Sequence, residues 1–192
     1  MTLQVTRSIA GGGVVVTVLG VAYGIAAIAG WSPSWSSVAQ AVLHLGELAV
    51  VVALVGVGAI GTRRAGHVGL GIAVLGQALL VAAELVYPSS PDVGNTLFGL
   101  GPLLSGLGMI LAGVAVARAQ VWHGWRRLLP LLIGIWILVP TTPILIFTGG
   151  PPAPASLIAI VVWDVLWAVC GLLALQSTAP TPATAGVTAR TT

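Results

Sequence analysis

Six apolar runs dominate this sequence and leave few folds open to it. Each is about 20 residues long, the length of helix that crosses about 30 Å of hydrocarbon. Only 6% of the residues are charged, whereas soluble domains carry roughly 25%, so this chain cannot build a water-facing surface around the runs. The runs lie at about 8–30, 38–61, 68–87, 96–117, 128–148 and 156–176.

We expect these runs to be helices, because open strands would leave backbone groups unsatisfied in lipid. The sequence therefore predicts an all-α polytopic membrane protein with a six-helix transmembrane domain over 1–177. The remainder, 178–192, is rich in Ala, Thr and Pro and predicts a disordered cytoplasmic tail. The first run could instead be a signal peptide cleaved after Ala27-Ile28-Ala29. Its apolar stretch of about 22 residues exceeds the usual roughly 7–15, which favours a retained helix.

The arginines predict the orientation. With six helices, all of them fall on one side of the membrane, and the opposite loops carry no basic residue and one acid, Asp92. The positive-inside rule then places both termini in the cytoplasm. Aromatic side chains mark the interfaces in the same scheme, with Trp31, Trp35 and Tyr87 outside and Trp122 and Trp125 inside. The arginines are Arg7, Arg63, Arg64, Arg118, Arg126, Arg127 and Arg190.

Four ionisable residues interrupt the apolar runs away from the arginine-rich turns: His44, Glu47, Glu84 and Asp164. An aspartate at mid-helix costs at least about 2.5–3.5 kcal/mol to insert, so such residues are functional candidates. At 1.5 Å per residue, His44, Glu47 and Asp164 lie roughly 9, 14 and 12 Å below the outer boundary. Glu84 ends its helix at the same side, so all four fall in the outer half of the membrane.

Two glutamines extend this set. Gln40, His44 and Glu47 are spaced i, i+4 and i+7 and share one helix face. Gln77 lies nearer the midplane on the third helix. The six residues predict a polar pocket in the outer half that binds a proton or another cation, because three acids outnumber one histidine. His44, Glu47 and Glu84 are also weak candidates for a metal site. The alternative is a structural polar cluster, in which Asp164 bonds to Thr141 or Thr142.

Other features concern packing and partners. Gly99, Gly106 and Gly113 form a seven-residue repeat on the fourth helix, which predicts a tightly packed central helix or a contact for a homo-oligomer or partner subunit. Pro140-Thr141-Thr142-Pro143 predicts a kinked or unwound fifth helix. Arg63, Arg64, Arg126 and Arg127 would meet anionic lipid headgroups. A net charge of +3 is too sparse for a nucleic-acid surface.

The sequence predicts no cofactor, and motifs for known chemistry, such as Walker loops or His-Glu-x-x-His, are absent from it. The run Ala115–Leu128, with His44-Leu45-Gly46-Glu47 upstream, resembles uncharacterised six-helix bacterial membrane proteins. That resemblance implies a bacterial inner membrane and brings no activity. We therefore expect a small binding or transport-type module rather than an enzyme. An accessory or scaffold subunit and a metal-dependent membrane enzyme are the alternatives.

Overall fold

The structure is a computed structural model that describes residues 1–178, and every regular element within that range is helical. The predicted disordered tail, 178–192, lies outside the described residues except for Thr178. The α-helices are α1 (Leu3–Ile28), α2 (Ser36–Gly56), α3 (Arg64–Val86), α4 (Pro91–Ala119), α5 (Leu129–Trp136), α6 (Thr142–Thr148) and α7 (Pro154–Ser177). A 3-10 turn, Gly124–Leu128, precedes α5, and a π turn, Ile137–Thr141, joins α5 to α6.

Six segments are long and apolar enough to cross a membrane, which confirms the predicted number. They are α1, α2, α3, α4, the composite segment Gly124–Thr148 and α7. We call the composite segment span 5. Helices α1 and α4 each begin about five residues before the corresponding apolar run. Thr2 caps α1 by accepting a hydrogen bond from the Val5 amide at 3.3 Å, and Pro91 opens α4 at a position where its missing N–H costs nothing.

The segments form a closed ring in chain order. Each packs against its neighbours in sequence, and α7 completes the ring by contacting α1 and α5. Contacts between α2 and α7 cross behind α1, so polar side chains on these two helices can meet inside the bundle. Large apolar side chains such as Val139, Ile146 and Phe147 are mostly exposed on the outside. Lipid is the solvent that suits such a surface.

The closest helix pair is α3 with α4, where backbone meets backbone. A Cβ added at Gly69 would strike the backbone of Gly108 and Ala112, and one added at Gly76 would strike the backbone of Gly101 and Ser105. Small residues at matching positions on antiparallel helices permit this approach. The pairing brings Ser105 of α4 against α3 at membrane depth.

The glycine repeat predicted on α4 serves contacts inside the chain. A Cβ at Gly106 would strike Ile137 and Leu138, and one at Gly113 would strike the backbone of Leu131. Both glycines are buried and pack α4 against span 5, as expected of a tightly packed central helix. Gly99 remains exposed with nothing within 4 Å of its added Cβ.

Span 5 is irregular at its two prolines. The π turn places Pro140 inside a wider helical turn, and the Thr142 hydroxyl donates to the Ile137 carbonyl at 2.7 Å. Proline removes a backbone donor, and a hydroxyl from a nearby threonine can satisfy a carbonyl left free. The wider turn leaves Thr141 fully buried, in a segment that also contacts α7.

Candidate functional site

A buried pair on α2 is the centre of the candidate site. His44 Nδ1 lies 2.7 Å from Glu47 Oε2, one helical turn apart. The Glu47 side chain is 0% exposed and the His44 side chain 10% exposed. This is the only acid–base contact among residues 1–178, where every arginine lacks an acidic partner within bonding distance. The other Glu47 oxygen, Oε1, is buried without a hydrogen bond.

A second polar pair faces α2 from the α3–α4 interface. The Gln77 amide nitrogen donates to the Ser105 hydroxyl at 3.0 Å, and both residues are fully buried. The Gln77 side chain also approaches the Glu47 carboxyl. Gln77 Oε1, like Glu47 Oε1, has no hydrogen-bond partner. The pair therefore extends the polar interior from α2 to α4.

The third polar group comes from α7. Trp163 lies 6.5 Å from His44 between ring centroids, and Trp167 packs edge-on against Trp163 at 6.0 Å. Between them in sequence, Asp164 is 2% exposed and close enough to interact electrostatically with both His44 and Glu47. Asp164 Oδ1 and both indole nitrogens lack hydrogen bonds. The expected bond from Asp164 to Thr141 or Thr142 is not formed, since the Thr141 hydroxyl is unpartnered and Thr142 bonds to Ile137.

The remaining two predicted site residues lie toward the outer ends of their helices. Glu84 is near the end of α3, 6% exposed, and within electrostatic range of His44. Gln40 is one turn above His44 on α2 and is half-buried. The structure thus brings His44 and Glu47 into contact, places Gln77, Glu84 and Asp164 around them, and leaves Gln40 at the margin.

Unpartnered polar atoms are concentrated in this cluster. Within residues 1–178, six buried side-chain atoms lack a hydrogen-bond partner. They are four oxygens and two indole nitrogens: Glu47 Oε1, Gln77 Oε1, Thr141 Oγ1, Asp164 Oδ1, Trp163 Nε1 and Trp167 Nε1. Buried polar groups are nearly always hydrogen-bonded, because an unpaired one costs about 1–3 kcal/mol. A concentration of exceptions in one layer of the bundle marks the candidate site.

The arrangement of the acidic and histidine side chains also bears on the predicted metal site. His44, Glu47 and Glu84 are not arranged as a metal site, and among the described residues no group of three or more His, Cys, Asp or Glu side chains is. Metal ions require several ligands converging on one point.

Four residues of the site were not predicted as site members: Ser105, Thr141, Trp163 and Trp167. Ser105 has a detectable signal, because Gly101, Ser105 and Gly108 form a small-residue stripe that predicts a close helix contact. Thr141 was expected only as a bonding partner of Asp164, and the two tryptophans carry no such signal. Their positions depend on the π turn in span 5 and on the rotation of α7.

A different polar surface lies at the opposite ends of the helices. A pocket of about 240 Å³ is lined by Trp122, His123, Arg126 and Ser177. The Trp122 indole donates to Ser177 at 3.1 Å and is only 5% exposed, so its ring packs against the end of α7. Trp125 is 60% exposed. Arg63 donates to the Arg118 carbonyl at 3.0 Å and so joins the α2–α3 turn to the end of α4.

Comparison of the chain with protein-family models, with curated proteins and with solved structures finds no match.

Proposed function

We propose that this chain is a multi-pass protein of the bacterial inner membrane that binds a proton in the outer half of the bilayer, as a small binding or transport-type module. The observation that carries the proposal is the pair of buried carboxyl groups, Glu47 and Asp164, each with one unpartnered oxygen. Charged groups without partners are costly inside a membrane. A proton on the carboxyl removes that cost.

Close packing around the two carboxyls supports the proton among the cations. Glu47 and Asp164 are 0% and 2% exposed, which leaves little room beside them for an organic cation, and no three metal-ligating side chains converge within the described residues. A proton needs neither such room nor converging ligands. His44 beside Glu47 offers a second group that can hold it, because imidazole changes charge near neutral pH in its unperturbed state.

The orientation proposed here rests on the arginines. Within the described residues, all six lie at the same end of the bundle: in the first turns of α1, where α2 is joined to α3, and from the last turn of α4 to the 3-10 turn before α5. That end would face the cytoplasm. There Arg63, Arg64, Arg126 and Arg127 would meet anionic lipid headgroups, each contributing about 1 kcal/mol.

Infrared difference spectroscopy of the purified, reconstituted protein tests proton binding, because a protonated carboxyl and a carboxylate absorb differently. We expect a carboxyl signal that changes with pH in the native chain and is reduced in both Glu47→Gln and Asp164→Asn. The amide replacements keep the side-chain size, so circular dichroism and gel filtration should show an unchanged fold.

Asp92→Asn provides the matched control, since Asp92 is an exposed acid in the first turn of α4 and outside the cluster. It should retain the signal assigned to the buried groups. If Glu47→Gln and Asp164→Asn both give the native difference spectrum, the cluster binds no proton and is a structural feature.

If the chain is instead an accessory subunit, one glycine of the α4 repeat is still free to contact a partner. Gly99 is exposed and uncovered, whereas its partners in the repeat are buried against span 5. Pull-down from native membranes with Gly99→Leu and with the native chain would test it. Loss of a co-purifying subunit in the variant alone would support a scaffold role.

A further inference from the structure

The candidate site has a polar connection toward only one side of the membrane. Moving from the outer ends of the helices inward, Glu84 is 6% exposed, the His44 side chain 10% and the Glu47 side chain 0%. Neighbouring groups in this series interact: Glu84 with His44 electrostatically, and His44 with Glu47 by the 2.7 Å contact. Protons can pass along such a series of exchangeable groups.

An outer groove leads toward the same residues. It lies between α1 and α2, has a volume of about 620 Å³, and is lined in part by Tyr23, Trp31, Trp35 and Leu43. Leu43 directly precedes His44. Tyr23 lies within electrostatic range of Glu84 and places its hydroxyl near Ser36. Tyr23 therefore connects the groove to the Glu84 end of the series.

Toward the cytoplasmic ends the interior holds no buried carboxyl, imidazole or amide side chain within residues 1–178. Inward of Glu47, the buried residues of α2 are Val50, Val51, Ala53 and Leu54. The buried residues that face this level from α3, α4 and α5 are Gly, Ala, Leu, Ile, Val, Met and Pro, and α7 adds one thiol, Cys170. On α1 the buried Thr6 hydroxyl donates to the Thr2 carbonyl of its own helix. From Glu47 to the end of α2 at Gly56, this apolar layer is about 14 Å thick at 1.5 Å per residue.

We propose that Glu47 exchanges its proton with the outer phase alone, through His44 and Glu84, so that the cluster is a closed-ended binding site and not a conducting path. The inference rests on the proposed proton binding and adds its direction. It makes the chain a proton-binding or pH-sensing module of the outer face instead of a proton carrier.

Polar and titratable groups face Glu47 from its own helix and from the helices packed against it. His44 shares α2, and α3 contributes Gln77 and Glu84. Asp164 faces it from α7, flanked by Trp163 and Trp167. On α1 the neighbours of α2 at this level are Gly13 and Val16, against Gly46, and Tyr23 is the titratable residue further out.

A sided pH jump tests the direction. The full chain carrying Ser34→Cys is reconstituted into proteoliposomes, and an impermeant maleimide counts the molecules whose Ser34 end faces outward. The external pH is then stepped while the carboxyl infrared signal is followed. We expect the fast fraction of the signal to equal the labelled fraction, and the rest to follow only after a protonophore is added.

Two variants sharpen the test. Glu84→Gln should slow the fast phase about a hundredfold, the lower end of what a positioned proton-transfer group contributes. Asp92→Asn should leave it unchanged. A fast phase that includes every molecule, or a native rate in Glu84→Gln, overturns the one-sided route. Absence of any pH-dependent carboxyl signal, even with protonophore, overturns the proposed function itself.

Discussion

His44 and Glu47 form a contact of 2.7 Å across one turn of α2, and the glutamate leaves its second oxygen without a partner. Only one of the two Glu47 oxygens therefore has a hydrogen-bond partner. A buried carboxyl with an unpartnered oxygen is costly when charged and less costly when it takes up a proton. The same arrangement can therefore store a proton or hold the bundle together, and stability measurements separate the two roles.

Removing the histidine should destabilise the protein more than removing the pair. We expect His44→Leu to lower the free energy of unfolding by about 1–3 kcal/mol, because the buried Glu47 carboxyl loses its 2.7 Å contact with His44. The double variant His44→Leu/Glu47→Leu should recover most of that loss, since apolar replacement of a buried pair is often neutral or stabilising. Unfolding in mixed detergent micelles measures both.

The double variant also distinguishes structure from function. If the pair serves proton binding, the recovered protein should be stable and yet show a reduced pH-dependent carboxyl signal, with only the Asp164 contribution left. A double variant less stable than His44→Leu would mean that Glu47 stabilises the bundle through contacts other than His44.

Glycines on the α3–α4 interface should tolerate no side chain. Gly108→Ala places a methyl group against the backbone of Gly69 and Ala73, so we expect a loss of about 1–3 kcal/mol, the usual cost of overpacking. Gly99→Ala, on the same helix with open space around it, should be neutral or stabilising, because alanine favours helix over glycine. Equal effects at the two positions would contradict the close approach of α3 and α4.

The sequence was sufficient to predict the helices, but not to predict which side of each helix faces its neighbours. Length and hydropathy predict six helices, because a membrane allows few other ways to satisfy the backbone. The positions of His44, Glu47 and Asp164 along their helices also follow from counting residues. What counting cannot supply is rotation about the helix axis, and this determines that Gly106 faces span 5 and that Asp164 does not bond to Thr141.

The small residues of α4 did indicate in part how that helix is rotated about its axis. The stripe containing Gly101, Ser105 and Gly108 identifies the tightest interface better than the seven-residue repeat of Gly99, Gly106 and Gly113. The π turn was harder to predict from the sequence. Two prolines predict an irregular helix, but whether it kinks, unwinds or widens depends on the hydroxyl groups and neighbouring helices that receive the freed carbonyls.

The two threonines of span 5 provide a matched pair for testing that turn. Thr142→Val removes the hydroxyl that donates to Ile137 at 2.7 Å, so we expect a loss of about 0.5–1.5 kcal/mol in unfolding free energy. Thr141→Val removes a buried hydroxyl that has no partner, so it should be neutral or stabilising. Destabilisation by Thr141→Val would indicate that this hydroxyl has a partner in the site.

The proposed orientation predicts which loops an impermeant reagent reaches in intact cells with the outer membrane permeabilised. Cys170 is fully buried, so the native chain should remain unlabelled by a charged maleimide. Ser34→Cys and Ser89→Cys, exposed in the two loops without arginine, should be labelled. Thr62→Cys, exposed beside Arg63, should react only after the inner membrane is opened. The reverse pattern would place the His44–Glu47 pair in the cytoplasmic half and would reverse the direction of proton access with it.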